Sequence, residues 1–314
     1  MACFGLVRRP TRRCAACSPI NQNHEADVLR VTGFLGSKKS TKPIPGGLYL
    51  GVELEVECRE DADPTEPAQQ AKTLLDPKRV ILKHDGSLRN GFEIVSGPAP
   101  LWFHQKELWG PFFEWQAKEK ALLSHNAPSG TCGLHVHVSR APLTQLQIGK
   151  MVQFLHAPEN NAFVRYMAGR PSSSRYADYL APKRVRPILG QNGKPLKRGG
   201  PKQKPAFRVR EEAGVNVLGR AARYTALNLQ NEATVEFRLF RGTLNPGTFF
   251  ARLEFCHALV KYSAPSVSGL CDTTADKFTK WLMVDRRKVY PNLVNYLDDG
   301  RFVNLPERPA ERLR

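Results

Sequence analysis

Apolar and polar residues alternate along three segments of the chain, which is the pattern of strands with one face in a core. These segments cover residues 48–57, 132–139 and 234–241. Shorter strands are predicted within residues 80–98, on either side of a turn at Asp85-Gly86-Ser87, and at residues 224–228.

Helical spacing of apolar residues predicts four helices. They cover residues 101–123 (interrupted at Gly110-Pro111), 142–156, 245–260 and 275–284. Residues 61–67 are predicted to form a loop. Because strands and helices interleave without regular β–α–β units, the pattern predicts the α+β class.

The polar faces of the three alternating strands carry ionisable side chains at every second position. These are Glu53, Glu55 and Glu57 on the first strand, His135 and His137 on the second, and Glu236 and Arg238 on the third. A solvated outer face is the usual reason for such alternation in an antiparallel sheet. Three neighbouring carboxylates, however, repel one another unless a cation neutralises them.

Taken together, the three faces indicate a site for metal ions and a polyanion. Carboxylate oxygens suit Mg²⁺, a histidine ligand favours tolerance of Mn²⁺, and the forked donors of Arg238 suit phosphate oxygens. Asp85 fits equally well as the cap of its turn or as part of this site. Arg165, Arg170 and Arg175 are interpreted either as a clamp for phosphate or carboxylate, or as residues of a solvated loop.

Composition narrows the class of protein. The chain has 314 residues, 41% of them hydrophobic, which excludes a wholly disordered chain. No apolar window is long enough for a membrane span, and the apolar run at the N-terminus is too short for a secretory signal. Seven scattered cysteines favour reduced thiols, so we expect a cytoplasmic protein; Cys14 and Cys17 have only half the pattern of a zinc site.

The net charge of +18 is concentrated in two places. Residues 183–210 contain ten basic and no acidic residues, and four arginines cluster at residues 8–13 of the N-terminal tail. We expect a basic, disordered tail and linker at 1–46, a catalytic domain at 47–285 with a basic loop insert at 183–210, and a charged extension at 286–314. The insert is interpreted as a solvated loop, a guide for anionic substrates or a nucleic-acid contact, and the first two are favoured.

Six ordered blocks resemble the amidoligase family of the glutamine synthetase-like carboxylate–amine ligases, over residues 47–262. The blocks are Gly51-Val52-Glu53-Leu54-Glu55, Asp85-Gly86-Ser87, Gly91-Phe92-Glu93-Ile94-Val95-Ser96, Cys132-Gly133-Leu134-His135-Val136-His137-Val138, Arg223-Tyr224 with Asn228, and Thr234-Val235-Glu236-Phe237-Arg238. The resemblance implies a curved, mostly antiparallel glutamine synthetase-like sheet with helices packed on its outer face. Its concave face would hold ATP and two or three Mg²⁺ or Mn²⁺ ions.

The resemblance also implies a role for each matching residue. Metal ligands would be Glu53, Glu55, Glu93, His135 and Glu236. Nucleotide or phosphate contacts would come from Arg238, Arg223 and Asn228, with Arg238, Glu93 and Arg223 acting in catalysis.

The implied activity is an ATP-dependent carboxylate–amine ligase that works through an acyl phosphate on an amino acid, peptide or related small molecule. The sequence has neither a GxxxxGKS/T nor a GxGxxG phosphate loop, so metals and arginines would have to hold the phosphates. A phosphotransferase of the same fold and a metal-dependent nucleic-acid-binding protein are the alternatives. The substrates and the oligomeric state stay open, and no membrane partner is expected.

Overall fold

The computed structural model describes residues 18–21, 47–59, 62–127, 129–170, 173–174, 177–178, 225–269 and 272–298. Within them eight strands form an open sheet: β1 Ile20–Asn21, β2 Leu50–Cys58, β3 Val80–Lys83, β4 Gly91–Ser96, β5 Leu122–Leu123, β6 Gly133–Ser139, β9 Leu227–Asn228 and β10 Thr234–Arg241; β7 Ser173–Ser174 and β8 Ala177–Asp178 form a separate pair. The order in the sheet is β1–β3–β4–β2–β6–β10–β9, with β5 paired to the end of β2. Only the β1–β3 pairing among these is parallel.

Helices lie between and after the strands. They are α1 Thr65–Leu74, α2 Leu101–Phe103, α3 Gly110–Glu119, α4 Gln145–His156, α5 Asn161–Ala168, α6 Pro246–Tyr262, α7 Ala275–Asp285 and α8 Pro291–Asp298. A π-helical turn, His104–Leu108, follows α2, and a 3₁₀ turn, Pro158–Asn160, precedes α5. Three of the described helix starts are capped by side chains: Thr144 forms a capping box with Gln147, Asn245 accepts the Thr248 N–H, and Thr274 accepts the Lys277 N–H.

One hydrophobic core joins the apolar face of the sheet to the helices. Val52 and Leu54 of β2, Val136 of β6, and Phe249 and Leu253 of α6 are all fully buried in it. Because side chains alternate across a strand, this burial leaves the intervening polar residues on the opposite face. The core therefore decides which face of the sheet is available for chemistry.

His104 in the π-helical turn ties this helical layer to β2. Its Nε2 lies 2.9 Å from the Leu50 carbonyl oxygen, and Trp109 Nε1 donates to its Nδ1 at 3.1 Å. With Nδ1 accepting, Nε2 carries the proton and donates to Leu50. Burial lowers the pKa of His104 to about 4, so the ring is neutral at neutral pH.

The predicted α+β class with a mostly antiparallel sheet is confirmed. The specific likeness to glutamine synthetase, the curvature and the domain boundaries stay predictions. The loop predicted at 61–67 is wrong at its C-terminal end, because α1 begins at Thr65. Pro67 lies in the first turn of α1, where a backbone N–H has no helical partner and its absence therefore costs no hydrogen bond. The helix predicted at 101–123 ends at Glu119, and Leu122–Leu123 pairs with β2.

Two short elements fall in the segments expected to lie outside the catalytic domain. Ile20–Asn21 pairs with β3 as the edge strand, and α8 buries Leu293 and Leu297. The Cys14/Cys17 pair and the basic insert at 183–210 lie outside the described residues. Among the described helices, none combines the length and apolar character needed to cross a membrane.

Candidate metal and phosphate site

The strands that carry the predicted ligands are neighbours in the sheet. β2 lies between β4 and β6, and β10 follows β6, so Glu55 pairs with Glu93, and Glu53 pairs with His135. On the far side of β6, His137 pairs with Glu236. Since cross-strand partners project from the same face, the register alone gathers these side chains on one surface.

The two histidines bridge the acidic side chains. His135 Nδ1 lies 3.2 Å from Glu53 Oε2 and 3.8 Å from Glu236 Oε1, while its Nε2 lies 3.8 Å from Glu55 Oε1. His137 Nε2 lies 3.1 Å from Glu53 Oε1. Glu53 is therefore held from both sides by imidazoles.

Three groups of side chains in the described part of the chain have the composition and spacing of a cation site. Within each group the ligand atoms lie within 4.8 Å of one another. The groups are Glu53–His137–Glu236, Glu53–Glu93–His135 and Glu55–Asp85–Glu93. Because the first two share Glu53 and the last two share Glu93, they form one continuous row across the strands.

Burial and mutual repulsion set the charge of this row. Burial, the Glu53 charge and other acids raise the pKa of Glu93 well above its usual range, and burial raises the pKa of Glu55 despite the opposing charge of His135. Burial also raises the pKa of Glu53, but the charge on His137 and hydrogen bonds from both histidines outweigh it and leave that pKa well below its usual range. His137 shows the converse: burial lowers its pKa, and Glu53 more than restores it, so the pKa is raised. The row thus carries more carboxylates than its own histidines can neutralise.

Arg238 stands at one end of the row, at a bulge in β10. The β6–β10 register shifts between Phe237 and Phe240, and Arg238 lies in the extra length of strand. Its Nη1 donates to Glu236 Oε1, and its buried Nε has no hydrogen-bond partner within the described residues. A guanidinium with an unused donor beside a cation site is suited to an anionic oxygen.

Asn228 on β9 positions Glu236. Its Nδ2 donates to Glu236 Oε2 at 2.8 Å, and its Oδ1 accepts the Gln230 N–H at 3.0 Å. Asn231 Nδ2 donates to the same carboxylate oxygen at 3.2 Å. Burial raises the pKa of Glu236, but the charges of His137 and His135 outweigh burial, so the pKa is lowered. This carboxylate is therefore ionised at neutral pH. The nucleotide contact predicted for Asn228 stays a prediction.

Glu57 shares the face but has a different task. Its Oε1 accepts the Arg89 N–H at 2.8 Å and its Oε2 accepts the Ser129 N–H at 3.3 Å. The Thr131 hydroxyl donates to the Ser87 carbonyl oxygen at 3.1 Å, joining the same two loops. Glu57 therefore fixes the loop that carries Asp85, and both of its oxygens are engaged by backbone groups.

Lys83 was not among the residues predicted for the site. It is 8% exposed, pairs with Glu93 across β3 and β4, and places Nζ 3.5 Å from Glu93 Oε2. Its position after three apolar residues gives no alternation from which its face could be inferred. Asp85 caps its turn, since Oδ1 accepts the Ser87 N–H at 2.6 Å, and its carboxylate also lies in the third group with the spacing of a cation site.

Arg170 reaches the site from the end of α5, donating Nη2 to the Phe240 carbonyl oxygen. Arg165, five residues earlier, is exposed on α5 itself. Arg223 and Arg175 lie outside the described residues, so their predicted contacts stay predictions.

Comparison with protein families matches residues 73–260, more than half of the chain, to the family described as putative amidoligase enzyme. Glu93, His135, Glu236 and Arg238 lie inside the matched range, whereas β2 precedes it. The pairing of β2 with β4 and β6 is what joins Glu53 and Glu55 to the matched residues. A search of curated proteins finds no match.

Proposed function

Because the chain belongs to the amidoligase family, we propose that it uses ATP to join a carboxylate to an amine through an acyl phosphate. The supporting observation is the row of three overlapping cation groups on one sheet face, with Arg238 at its end. A reaction of this kind needs charge neutralisation and positioning more than a nucleophilic side chain. The substrates would be an amino acid, a peptide or a related small molecule.

The donor set fits divalent cations. Oxygen ligands from Glu53, Glu55, Glu93 and Glu236 would hold Mg²⁺ or Mn²⁺, and His135 is a ligand that Mn²⁺ accepts. When bound, such ions neutralise the phosphate oxygens and polarise the phosphorus for attack. The raised pKa of Glu93 supports this assignment, because burial and repulsion by Glu53 and other acids both disfavour its charge, and a bound cation would offset them.

The chain's own residues would supply orientation and charge. Arg238 would contact the phosphoryl group in transfer through donors that Glu236 leaves unused. Asn228 would keep Glu236 in its ligating orientation through the 2.8 Å hydrogen bond. The substrate carboxylate would attack the terminal phosphorus, ADP would leave, and the amine would then displace phosphate from the acyl group.

The first test is release of ADP with Mg²⁺ or Mn²⁺ against pools of amino acids, polyamines and acidic peptides. Arg238→Ala and Glu53→Ala should each abolish any substrate-dependent release. Arg241→Ala is the matched control, because Arg241 is exposed on the same strand and its guanidinium donates to the His125 carbonyl oxygen. Mass spectrometry of the product separates an amide from a stable phosphorylated compound, which would indicate a phosphotransferase instead.

Two results would remove the proposal. Metal-dependent ATP binding could be missing from the wild-type protein, or substrate-dependent ADP release could survive both substitutions. The first would exclude ATP chemistry, and the second would place that chemistry away from this face of the sheet.

A further inference from the structure

Arg252 anchors the end of α5 to β10. It is 4% exposed, and its Nε and Nη2 donate to the Met167 and Ala168 carbonyl oxygens at 3.2 and 3.4 Å, while Nη1 donates to the Arg241 carbonyl oxygen. A cation at this position complements the negative end of the helix dipole. The buried guanidinium therefore sets the direction in which the chain leaves α5.

The next residue turns the chain towards the site. Gly169 has φ +67°, and a Cβ there would lie 2.5 Å from Arg252 Nη2. Glycine adopts this left-handed conformation without the steric penalty of other residues, and here it also leaves room for the guanidinium. Arg170 follows at once, with its own guanidinium on the Phe240 carbonyl oxygen.

Arg170 converges with two candidate metal ligands above Gly133. A Cβ at Gly133 would lie 3.3 Å from Arg170 Nη2, 3.4 Å from Glu55 Oε2 and 3.0 Å from His135 Nε2. The guanidinium nitrogen is therefore less than about 7 Å from both ligand atoms. The Gly133 N–H also donates to Glu55 Oε2 at 2.5 Å, which holds that carboxylate in place.

The two arginines lie near groups that face different nitrogens of His135. Nδ1 faces Glu53 and Glu236, whose Oε1 receives Arg238, whereas Nε2 faces Glu55 and the Gly133 backbone beside Arg170. Two forked cations on either side of a cation row match a group with several anionic oxygens.

We propose that Arg170 binds the terminal phosphate of ATP together with Arg238, and that Gly133 is required because a Cβ there would displace Arg170 and His135 from these positions. This assignment rests on the proposed function. Arg170 is then a second phosphate-binding arginine, and its contact with the terminal phosphate forms with ATP but not with ADP.

Binding of MgATP and MgADP to wild type and Arg170→Gln, measured by calorimetry, tests the assignment. Charge-assisted hydrogen bonds of this kind correspond to about a 10- to 100-fold change in affinity. We expect Arg170→Gln to weaken MgATP by that factor, to leave MgADP within about twofold, and to leave Mn²⁺ binding without nucleotide at least as tight. Arg165→Gln is the matched control, because Arg165 is an exposed arginine on α5 itself, and it should change none of these values.

The binding results distinguish a failure of the Arg170 assignment from a failure of the proposed function. A wild type that does not bind MgATP removes the proposed function together with this assignment. A wild type that prefers MgATP, with an Arg170→Gln variant that keeps this preference or weakens both nucleotides equally, overturns the Arg170 assignment alone. Partial recovery of the preference in Arg170→Lys would support a charge contact, and thermal unfolding of each variant excludes misfolding.

Substitution of glycine supplies a second, independent test. Gly133→Ala should reduce the preference for MgATP over MgADP by about threefold or more, because the new Cβ meets His135 and Arg170 at 3.0 and 3.3 Å and must displace them by a few tenths of an ångström. Gly51→Ala is the control on the neighbouring strand, where a Cβ would meet His137 Cβ and the Ser96 carbonyl oxygen at ordinary distances of 3.6 and 3.8 Å. Equal behaviour of the two alanine variants would overturn the part assigned to Gly133.

Discussion

Glu53 and Glu57 offer a matched pair of substitutions on one strand, since both carboxylates project from the same face of β2. Glu53 belongs to two of the three cation groups, whereas both oxygens of Glu57 accept backbone N–H groups. We therefore expect Glu53→Gln to weaken divalent-cation binding strongly. Glu57→Gln should act mainly on the stability of the loops that hold Arg89 and Ser129.

The size of the effect follows from the loss of one charge. A carboxylate and a divalent cation about 4 Å apart interact by about 8 kcal/mol at an effective dielectric constant of about 20, an upper limit that the cost of dehydrating the ion reduces. The glutamine oxygen can still coordinate, and removing the charge relieves repulsion from Glu93, so we expect about 100-fold weaker binding. For Glu57→Gln we expect a change in cation affinity of less than about threefold, because one oxygen acceptor is kept.

Mn²⁺ titration followed by electron paramagnetic resonance gives both the affinity and the number of ions bound. Urea unfolding of each variant measures stability separately. Equal cation affinity in wild type and Glu53→Gln would refute the assignment of Glu53 as a shared ligand. A loss of cation affinity in Glu57→Gln as large as that in Glu53→Gln would show that Glu57 contributes to cation binding as much as Glu53 does.

Three further predictions concern protons and packing. Burial and neighbouring acids raise the pKa of Glu93, and burial raises that of Glu55, so cation binding should release protons and should become tighter as the pH rises. Equal calorimetric heats of cation binding in buffers of different ionisation enthalpy would contradict this prediction. His104 has a folded pKa of about 4 against 6.5 when unfolded, so its stabilisation is complete above pH 6.5 and falls by about 2 kcal/mol at pH 5. Urea unfolding at pH 7 and pH 5 should show a smaller loss in His104→Gln than in wild type. Gly91→Ala places a Cβ 2.0 Å from a backbone oxygen of β2 and should lower the free energy of unfolding by roughly 3 kcal/mol, whereas Gly86→Ala, with nothing within 4 Å, should change it little.

The sequence pattern predicted which side chains share a face, because alternation along a strand is a local property. Glu53, Glu55, His135 and Glu236 followed from it directly. Their distances could not be predicted, because strand order and register depend on contacts between residues far apart in the chain. Glu53 meets His135 only because residue 53 pairs with residue 135.

Residues outside an alternating pattern were harder to assign. Lys83 ends an apolar strand in which neither face is distinguished by polarity, and its role appears only through its pairing with Glu93. Glu57 has the same local pattern as Glu53, and only the loops packed against it separate the two. Arg170 follows α5, a helix that the apolar spacing did not predict. The end of α5 is held by Arg252, which lies on a helix about 80 residues later in the chain.

The candidate cation ligands and the candidate phosphate contacts lie on different parts of the fold. Apart from Asp85, the candidate metal ligands lie on β2, β4, β6 and β10, where backbone pairing fixes their spacing and burial prevents repacking. Arg170 instead follows a helix end held by Arg252, and Arg238 stands in a bulge. Substitutions at Arg252 should therefore change the discrimination between nucleotides while leaving cation affinity near the wild-type value. This separation would identify the sheet register as the source of metal binding and the irregular segments as the source of phosphate recognition.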